Sequence, residues 1–175
     1  MTGNRRIFPR PGLERPALLV FALTLALALA GCSKPVDGYT LVSRETARAD
    51  GGRFAFDLDL DDSTCTYATT IAARLNTTRL HGNGLELQMN VISPAGIAAI
   101  ERVTFPLQNV AGKVRSRRND GTVRDYLWPW REQIRVSGQD AGRWRVVITL
   151  PDTTLMRAVE GIGLSYEGTT WEKAN

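Results

Sequence analysis

Strict alternation of apolar and polar side chains is the pattern that most limits the folds open to this chain. Between positions 54 and 60 every second residue is a large hydrophobic one: Phe54, Phe56, Leu58 and Leu60. Successive side chains of a β-strand point to opposite faces, so a period of two predicts a strand with one buried face and one solvated face. The same alternation returns at Leu85, Leu87, Met89 and Val91, and at Ile162, Leu164 and Tyr166. The chain is therefore predicted to fold mainly as half-buried strands.

Turn-forming residues divide the rest of the chain into further short strands. Residues 65–75 are rich in threonine and β-branched residues and are predicted to pair with the first alternating strand. A shorter strand is expected at 103–107, where Pro106 indicates a sheet edge or a strand end because proline has no main-chain N–H to donate. The last hairpin is predicted to consist of residues 134–136 and 144–150.

Many short strands with almost no helical period are typical of an all-β protein. We predict an antiparallel β-sandwich, immunoglobulin-like or jelly-roll-like, that forms a single domain over residues 39–175. A chain of this length can bury a core of its own. The two inward faces are expected to supply the core: Phe54, Phe56, Leu58, Ile71, Leu85, Leu87, Val146, Ile148, Ile162 and Leu164.

The start of the chain has the composition of a secretory signal. Four arginines precede an uncharged run at 17–31, which is shorter than the roughly 20 residues that a membrane-spanning helix needs. The run ends in Leu29-Ala30-Gly31-Cys32, which is similar to a lipobox. We therefore expect residues 1–31 to be a cleaved lipoprotein signal peptide, Cys32 to take the lipid through its thiolate, and residues 32–38 to form a lipidated tether. The alternative is an ordinary signal peptide in which Cys32 has no such role.

The positive charge of the chain belongs mostly to this leader. The chain contains 22 Lys and Arg against 18 Asp and Glu, and the leader holds four of the arginines and one acid, Glu14. Cleavage would leave 18 basic and 17 acidic residues. So balanced a domain has no electrostatic footprint for nucleic acid, and contact with a membrane is expected through the lipid on Cys32 instead.

The sequence lacks the residue sets that catalysis and metal binding use. His81 is the single histidine, and with Cys32 taken by lipid, Cys65 is left as a lone thiol that we expect to be buried and inert. Metal sites combine several ligands, and a catalytic triad needs a base held by a partner. Four neighbouring aspartates are expected on the solvated face of a strand rather than around calcium: Asp57, Asp59, Asp61 and Asp62. We therefore predict that the protein is not an enzyme and that it binds no cofactor and no metal.

A local basic cluster is the first candidate binding site, and it consists of Arg115, Arg117 and Arg118. The cluster lies in the polar stretch 109–123, which is predicted to be the longest irregular segment. Arginine suits an acidic partner or the phosphates of lipopolysaccharide, because its guanidinium pairs with oxyanions. The alternative is a solvated loop without a ligand.

An aromatic segment is the second candidate binding site, formed by Tyr126, Trp128 and Trp130. The sequence Trp128-Pro129-Trp130 places two rings on the same side of an extended chain. If they are exposed, these rings would form a stacking platform for a sugar or for a partner's aromatic patch. The alternative is that at least one ring is buried and closes one end of the sandwich.

Several short motifs follow one another in a fixed order after Cys32. They are Phe54-Ala55-Phe56-Asp57 with Asp61 and Tyr67, then Arg74, Asn83-Gly84-Leu85-Glu86-Leu87, Pro94-Ala95-Gly96, Gly142-Arg143-Trp144, Met156-Arg157 and Val159-Glu160-Gly161-Ile162-Gly163-Leu164. In this order they resemble the gliding-motility lipoproteins of the GldH type, found in Bacteroidota. One feature differs, since the family's Trp-x-Gly-x-Gly segment is replaced here by Val114-Arg115-Ser116-Arg117-Arg118.

The resemblance implies an envelope lipoprotein that is associated with the gliding and secretion apparatus and has no catalytic activity. We therefore expect a non-enzymatic protein, lipid-anchored in the cell membrane or outer membrane, that binds envelope proteins. Residues 33–37 lack the acidic run that resembles a surface-export signal, so a periplasm-facing position is expected. The competing hypothesis is a glycan-binding β-sandwich module that uses the aromatic segment.

Overall fold

Nine β-strands, one α-helix and two 3₁₀ helices make up the part of the chain that the structure, a computed structural model, describes: residues 37–108 and 115–170. The strands are β1 Gly38–Ser43, β2 Phe54–Leu60, β3 Cys65–Asn76, β4 Gly84–Ile92, β5 Ala98–Pro106, β6 Arg115–Asp120, β7 Val123–Arg135, β8 Gly142–Thr149 and β9 Val159–Thr170. Helix α1 spans Arg44–Ala49, and the 3₁₀ helices span Gly138–Asp140 and Thr153–Arg157.

The strands form two antiparallel sheets that enclose one core. The first sheet has five strands in the order β1-β9-β3-β7-β6, and the second has four in the order β2-β8-β4-β5. Each pair of neighbouring strands runs antiparallel. All described residues belong to one compact unit. The predicted all-β antiparallel sandwich is therefore confirmed.

Alternation of side chains decides which residues enter the core. Along β2, the four apolar side chains at every second position are buried, and the intervening residues face outward or are half-buried. All ten residues predicted for the core are at most 4% exposed. Because each large aliphatic or aromatic side chain that is fully buried contributes about 1.5–3 kcal/mol, these two inward faces dominate the stability of the fold.

The predicted pairing of residues 65–75 with β2 is wrong, because the two strands lie in different sheets. β2 pairs with β8, whereas β3 pairs with β7 and β9. The connection between β2 and β3 is stabilised by Asp62. Its Oδ1 atom accepts hydrogen bonds from the N and Oγ1 atoms of Thr64, at 2.8 and 2.6 Å. The main-chain N–H of Asp62 donates to the Tyr67 hydroxyl over 3.0 Å. These bonds fix a turn that carries the chain from one sheet to the other.

The predicted last hairpin is wrong for a similar reason. β7 belongs to the five-stranded sheet, and β8 belongs to the four-stranded sheet, where it pairs with β2 and β4. Between them, Val136 is buried and the chain then passes through Gly138, whose φ of 56° suits glycine, into the first 3₁₀ helix. A buried anchor followed by a helical turn makes a crossover between sheets rather than a tight hairpin.

β1 and α1 have no counterpart in the sequence prediction. Gly38, predicted as the last residue of the tether, is the first residue of β1, which pairs with β9 at the sheet edge. Ser43 caps the N-terminus of helix α1, and its side chain accepts a hydrogen bond from the main-chain N–H of Thr46. The predicted signal peptide, Cys32 and residues 32–36 of the tether lie outside the described residues. Within residues 37–108 and 115–170, no helix is long and apolar enough to cross a membrane.

Candidate functional site

The aromatic segment of β7 lies inside the sandwich. The side chains of Trp128 and Tyr126 are 2% and 5% exposed, and their rings stack with centroids 5.6 Å apart. Phe105 of β5 packs on Trp128 at 5.1 Å. The indole N–H of Trp128 donates a hydrogen bond to the main-chain oxygen of Pro106 over 2.8 Å. The polar atom of the buried indole is therefore satisfied within the protein.

An exposed platform of three rings is consequently wrong, and burial of at least one ring is confirmed. Residues two apart on a strand share a face, and for Tyr126 and Trp128 that face is the inner one. Trp130 is half-buried and packs against the core, with the guanidinium carbon of Arg131 at 5.2 Å from its ring centroid. Sugar binding by stacking needs open ring faces, which Tyr126 and Trp128 do not offer.

The backbone of Arg115, Arg117 and Arg118 forms strand β6, so the predicted irregular loop is wrong at these positions. β6 is the edge strand of the five-stranded sheet and pairs with β7. Charged residues are common on edge strands, where they oppose pairing with another chain, and this is why a strand can have so polar a sequence. Their side chains and residues 109–114 lie outside what the structure describes, so binding by these arginines stays a prediction.

Cys65 begins β3 as a buried thiol, as predicted. It is 1% exposed, and its Sγ donates a hydrogen bond to Asp62 Oδ2 over 3.3 Å. Burial raises the pKa of this thiol, and the adjacent Asp62 carboxylate raises it further. Because the thiolate is the reactive form, this environment disfavours nucleophilic chemistry at Cys65.

The remaining polar residues considered from the sequence are spread over the surface. Asp57 and Asp61 are exposed, and Asp59 forms an ion pair with Arg143 across β2 and β8, with Oδ1 3.0 Å from Nε. His81 is exposed in the connection between β3 and β4. Among the described residues, no group of three or more His, Cys, Asp or Glu side chains is placed to hold a metal ion.

An apolar groove on the outer face of the five-stranded sheet is the feature that the sequence analysis missed. Its volume is about 290 Å³, and its lining includes Tyr39, Leu41, Ala72 and Leu127. Tyr39, Leu41 and Leu127 are exposed at 62%, 42% and 40%. Large contiguous apolar patches often mark interaction sites, so this surface is a candidate binding site. We call this surface the outer groove.

Strand register explains the shape of the outer groove. Leu41 of β1 lies opposite Gly163 of β9, Gly163 lies opposite Ala72 of β3, and Ala72 lies opposite Leu127 of β7. The two small residues form the floor and the two leucines form the walls. A Cβ atom at position 163 would lie 2.9 Å from the Tyr39 hydroxyl, so the tyrosine leans over the glycine.

An ion pair borders the outer groove along the next row of residues. Arg74 of β3 lies opposite Asp125 of β7, and the guanidinium donates two hydrogen bonds to the carboxylate, over 2.9 and 3.2 Å. The bonded Asp125 carboxylate raises the pKa of Arg74. The surface therefore combines an apolar trough with a fixed, paired charge, which suits a partner with an apolar side chain next to a polar one.

Comparison with solved structures gives a distant likeness. No family model matches the chain, and no curated protein matches it. The chain is similar, over 78% of its length, to part of a solved structure, the dimeric latent PorU of Porphyromonas gingivalis. The TM-score is 0.33, the sequence identity is 13%, and the match covers 13% of the PorU chain. A likeness at this score carries no argument about function.

Proposed function

We propose that this protein is a non-enzymatic lipoprotein of the bacterial cell envelope that acts by binding other envelope proteins. The observation that carries the proposal is the outer groove, an exposed apolar trough on the five-stranded sheet. In a domain whose two inward faces are already used for the core, apolar side chains left on an outer face cost solubility unless a partner covers them. The partner proposed is a protein that inserts an apolar side chain between Leu41 and Leu127, over Ala72.

The anchor proposed is a lipid on Cys32, in the cell membrane or outer membrane and facing the periplasm. The motif Leu29-Ala30-Gly31-Cys32 supports it, because small residues followed by cysteine end an uncharged run too short to span a bilayer. The finer part of the proposal is a role in the gliding or secretion machinery, by resemblance to lipoproteins of the GldH type. It rests on the order of short motifs, from Phe54-Ala55-Phe56-Asp57 to the last strand.

Site-specific photocrosslinking in intact cells tests the partner. A photoreactive phenylalanine analogue at Leu41 or Leu127 is expected to give a covalent adduct with an envelope protein of the gliding or secretion machinery, identified by mass spectrometry. The matched control carries the analogue at Arg145, an exposed residue of β8 in the other sheet. Adducts at all three positions, or at none, would contradict a partner site in the outer groove.

Metabolic labelling tests the anchor separately. Cells that express the full chain are fed an alkyne-bearing fatty acid, and the protein is expected to become labelled and to stay with the membrane fraction. The Cys32→Ser variant is expected to lose both properties, whereas Cys65→Ser keeps them because that thiol is buried in β3. Label on the Cys32→Ser variant would rule out the proposed lipid site.

A further inference from the structure

Three arginines from separate segments line one open cavity on the described part of the chain. Arg48 lies in α1, Arg79 lies in the connection between β3 and β4, and Arg157 ends the second 3₁₀ helix. His81 lines the same cavity, whose volume is about 690 Å³. That volume lies within the range of about 300–1,000 Å³ that is usual for ligand pockets. We call this surface the arginine pocket, and it is separate from the outer groove.

The arginine pocket carries more positive than negative charge, because three arginines and a single carboxylate, Asp152, line it. Among the described residues, Arg48, Arg79 and Arg157 form no ion pair. Arginines elsewhere in the domain do pair with carboxylates: Arg44, Arg53, Arg74, Arg131 and Arg143. Three unpaired guanidinium groups around one concavity create a local positive potential on a domain that is close to neutral.

The acidic residue of the pocket is engaged within its own turn. Asp152 Oδ1 accepts hydrogen bonds from Thr154 N and Thr154 Oγ1, at 2.9 and 2.7 Å. Those two bonds lower the pKa of Asp152. The carboxylate therefore stays charged, and its Oδ1 atom is bonded to the first turn of the 3₁₀ helix. The hydroxyl proton of Thr154 is used in the same contact, and that of Thr78, which also lines the pocket, is donated to Asn76 Oδ1 over 2.7 Å. The side-chain donors left for a ligand are therefore the guanidinium groups and the His81 ring.

Hydrogen bonds from arginine side chains to one main-chain oxygen hold two sides of the pocket together. Arg44 Nη1 and Arg79 Nη1 both donate to the main-chain oxygen of Arg157, at 3.2 and 3.5 Å. Arg44 itself is neutralised by Glu160 at 3.1 Å. The loop that carries Arg79 and the end of the 3₁₀ helix that carries Arg157 are therefore joined before any ligand binds, which lowers the ordering cost of binding.

We propose that the arginine pocket binds a phosphate group that carries more than one negative charge. Guanidinium groups donate paired hydrogen bonds to phosphate oxygens, and three of them match the charge of about −2 on a phosphate monoester better than the single charge of a carboxylate. Such a group is found free, as in pyrophosphate, or as the headgroup of an acidic lipid. This inference does not depend on the outer groove or on the lipid anchor.

Calorimetric titration of the full chain in nonionic detergent tests the proposal. Pyrophosphate is expected to bind, and binding is expected to weaken as salt is raised because the contacts are exposed charges. Arg48→Gln and Arg157→Gln are each expected to lower the affinity by about tenfold or more, the usual loss for a hydrogen bond to a charged group. Arg145→Gln, which removes an exposed arginine outside the pocket, is expected to leave the affinity unchanged.

Mixed micelles distinguish the two sources of phosphate. Displacement of bound pyrophosphate by micelles that contain phosphatidic acid, but not by micelles that contain phosphatidylcholine, supports a lipid headgroup. Binding of pyrophosphate without such displacement supports a free phosphate compound. If neither pyrophosphate nor phosphatidic acid binds, or if Arg145→Gln weakens binding as much as the pocket variants do, the proposal is overturned.

Discussion

The indole Nε1 of Trp128 and the main-chain oxygen of Pro106 lie 2.8 Å apart, and their hydrogen bond joins the two sheets of the sandwich. Trp128 belongs to β7 in the five-stranded sheet, and Pro106 is the last residue of β5, the edge strand of the four-stranded sheet. The ion pair between Arg131 of β7 and Glu101 of β5 connects the same two strands. Polar contacts thus join the two sheets along these two strands, in addition to packing within the core.

Trp128→Phe is expected to destabilise the protein by about 1–3 kcal/mol. The substitution keeps an aromatic ring in the core but leaves the oxygen of the half-buried Pro106 without its donor, and an acceptor left unsatisfied away from water costs about that much. The measurement is the free energy of unfolding of the full chain in urea, followed by far-ultraviolet circular dichroism so that the lost tryptophan does not affect the signal.

Trp144→Phe is the matched control for this prediction. The Nε1 atom of Trp144 also donates to a main-chain oxygen, that of Asp140, at the same 2.8 Å. This contact is exposed, so water replaces the lost donor and the expected loss is below about 1 kcal/mol. Equal losses of unfolding free energy for both variants would mean that the cross-sheet hydrogen bond of Trp128 contributes no more stability than the exposed one of Trp144.

The strands and the core follow from the sequence because alternation is a local property. The spacing of Phe54 and Phe56 predicts a buried face whichever strand β2 pairs with, and the predicted burial of both residues is confirmed. The partner of a strand is set by contacts far along the chain. The hydrogen bonds of Asp62 and the buried anchor Val136 send the chain across to the other sheet, and neither is visible as a pattern. Both predicted hairpins fail for that reason.

The outer groove depends on features of the fold that the sequence pattern does not predict. Leu41 lies on β1, a short edge strand whose residues are exposed or half-buried in no alternating order, so no period of two indicates it. Gly163 and Ala72 become a floor only because β9 and β3 are paired in one register. The aromatic residues, by contrast, attract attention in the sequence by their size. Large rings are also the best core residues, and Tyr126 and Trp128 serve in that role.

Gly38→Ala is expected to cost about 1–3 kcal/mol of stability. A Cβ atom at this position would overlap the ring of Tyr166, which is nearly buried opposite Gly38 in the β1–β9 pair, and overpacking of that kind typically costs this much. Gly163→Ala is the comparison, and a smaller loss is expected. Its Cβ would meet the exposed side chain of Tyr39, which is free to rotate away, and the Cβ of Ala72 at 3.2 Å, which needs to shift by only a few tenths of an ångström. Urea unfolding of both variants checks the prediction, which fails if the two losses are the same.

Cys65 is expected to resist thiol reagents in the folded protein. In the Cys32→Ser variant Cys65 is the single thiol, and its reaction with a chromogenic disulfide should be roughly 100-fold slower in buffer than in denaturing urea, because a local opening must precede attack. Absorbance at the reagent's product band follows the reaction. Rapid labelling of the native protein would show that the β2–β3 connection opens readily and that the thiol is accessible.

Acid is expected to weaken the fold partly through Asp62. Hydrogen bonds from Thr64, and then from Cys65, lower the pKa of Asp62 below its ordinary value of 3.8, since they stabilise the carboxylate. In the unfolded chain those bonds are lost and the proton binds more readily. The contribution of Asp62 is therefore complete above the ordinary value, and it is lost as the pH falls from there through the lowered folded pKa.

Asp62→Asn isolates this contribution. The amide does not titrate, so the free energy of unfolding of the variant should fall less steeply than that of the unchanged protein as the pH is lowered from about 6 to about 2. Asp61→Asn is the neighbouring control, because Asp61 is exposed and takes no part in the bonds that hold the turn. It is expected to keep the acid dependence of the unchanged protein. A profile for Asp62→Asn that runs parallel to that of Asp61→Asn would show that the connection between the two sheets does not depend on the charge of Asp62.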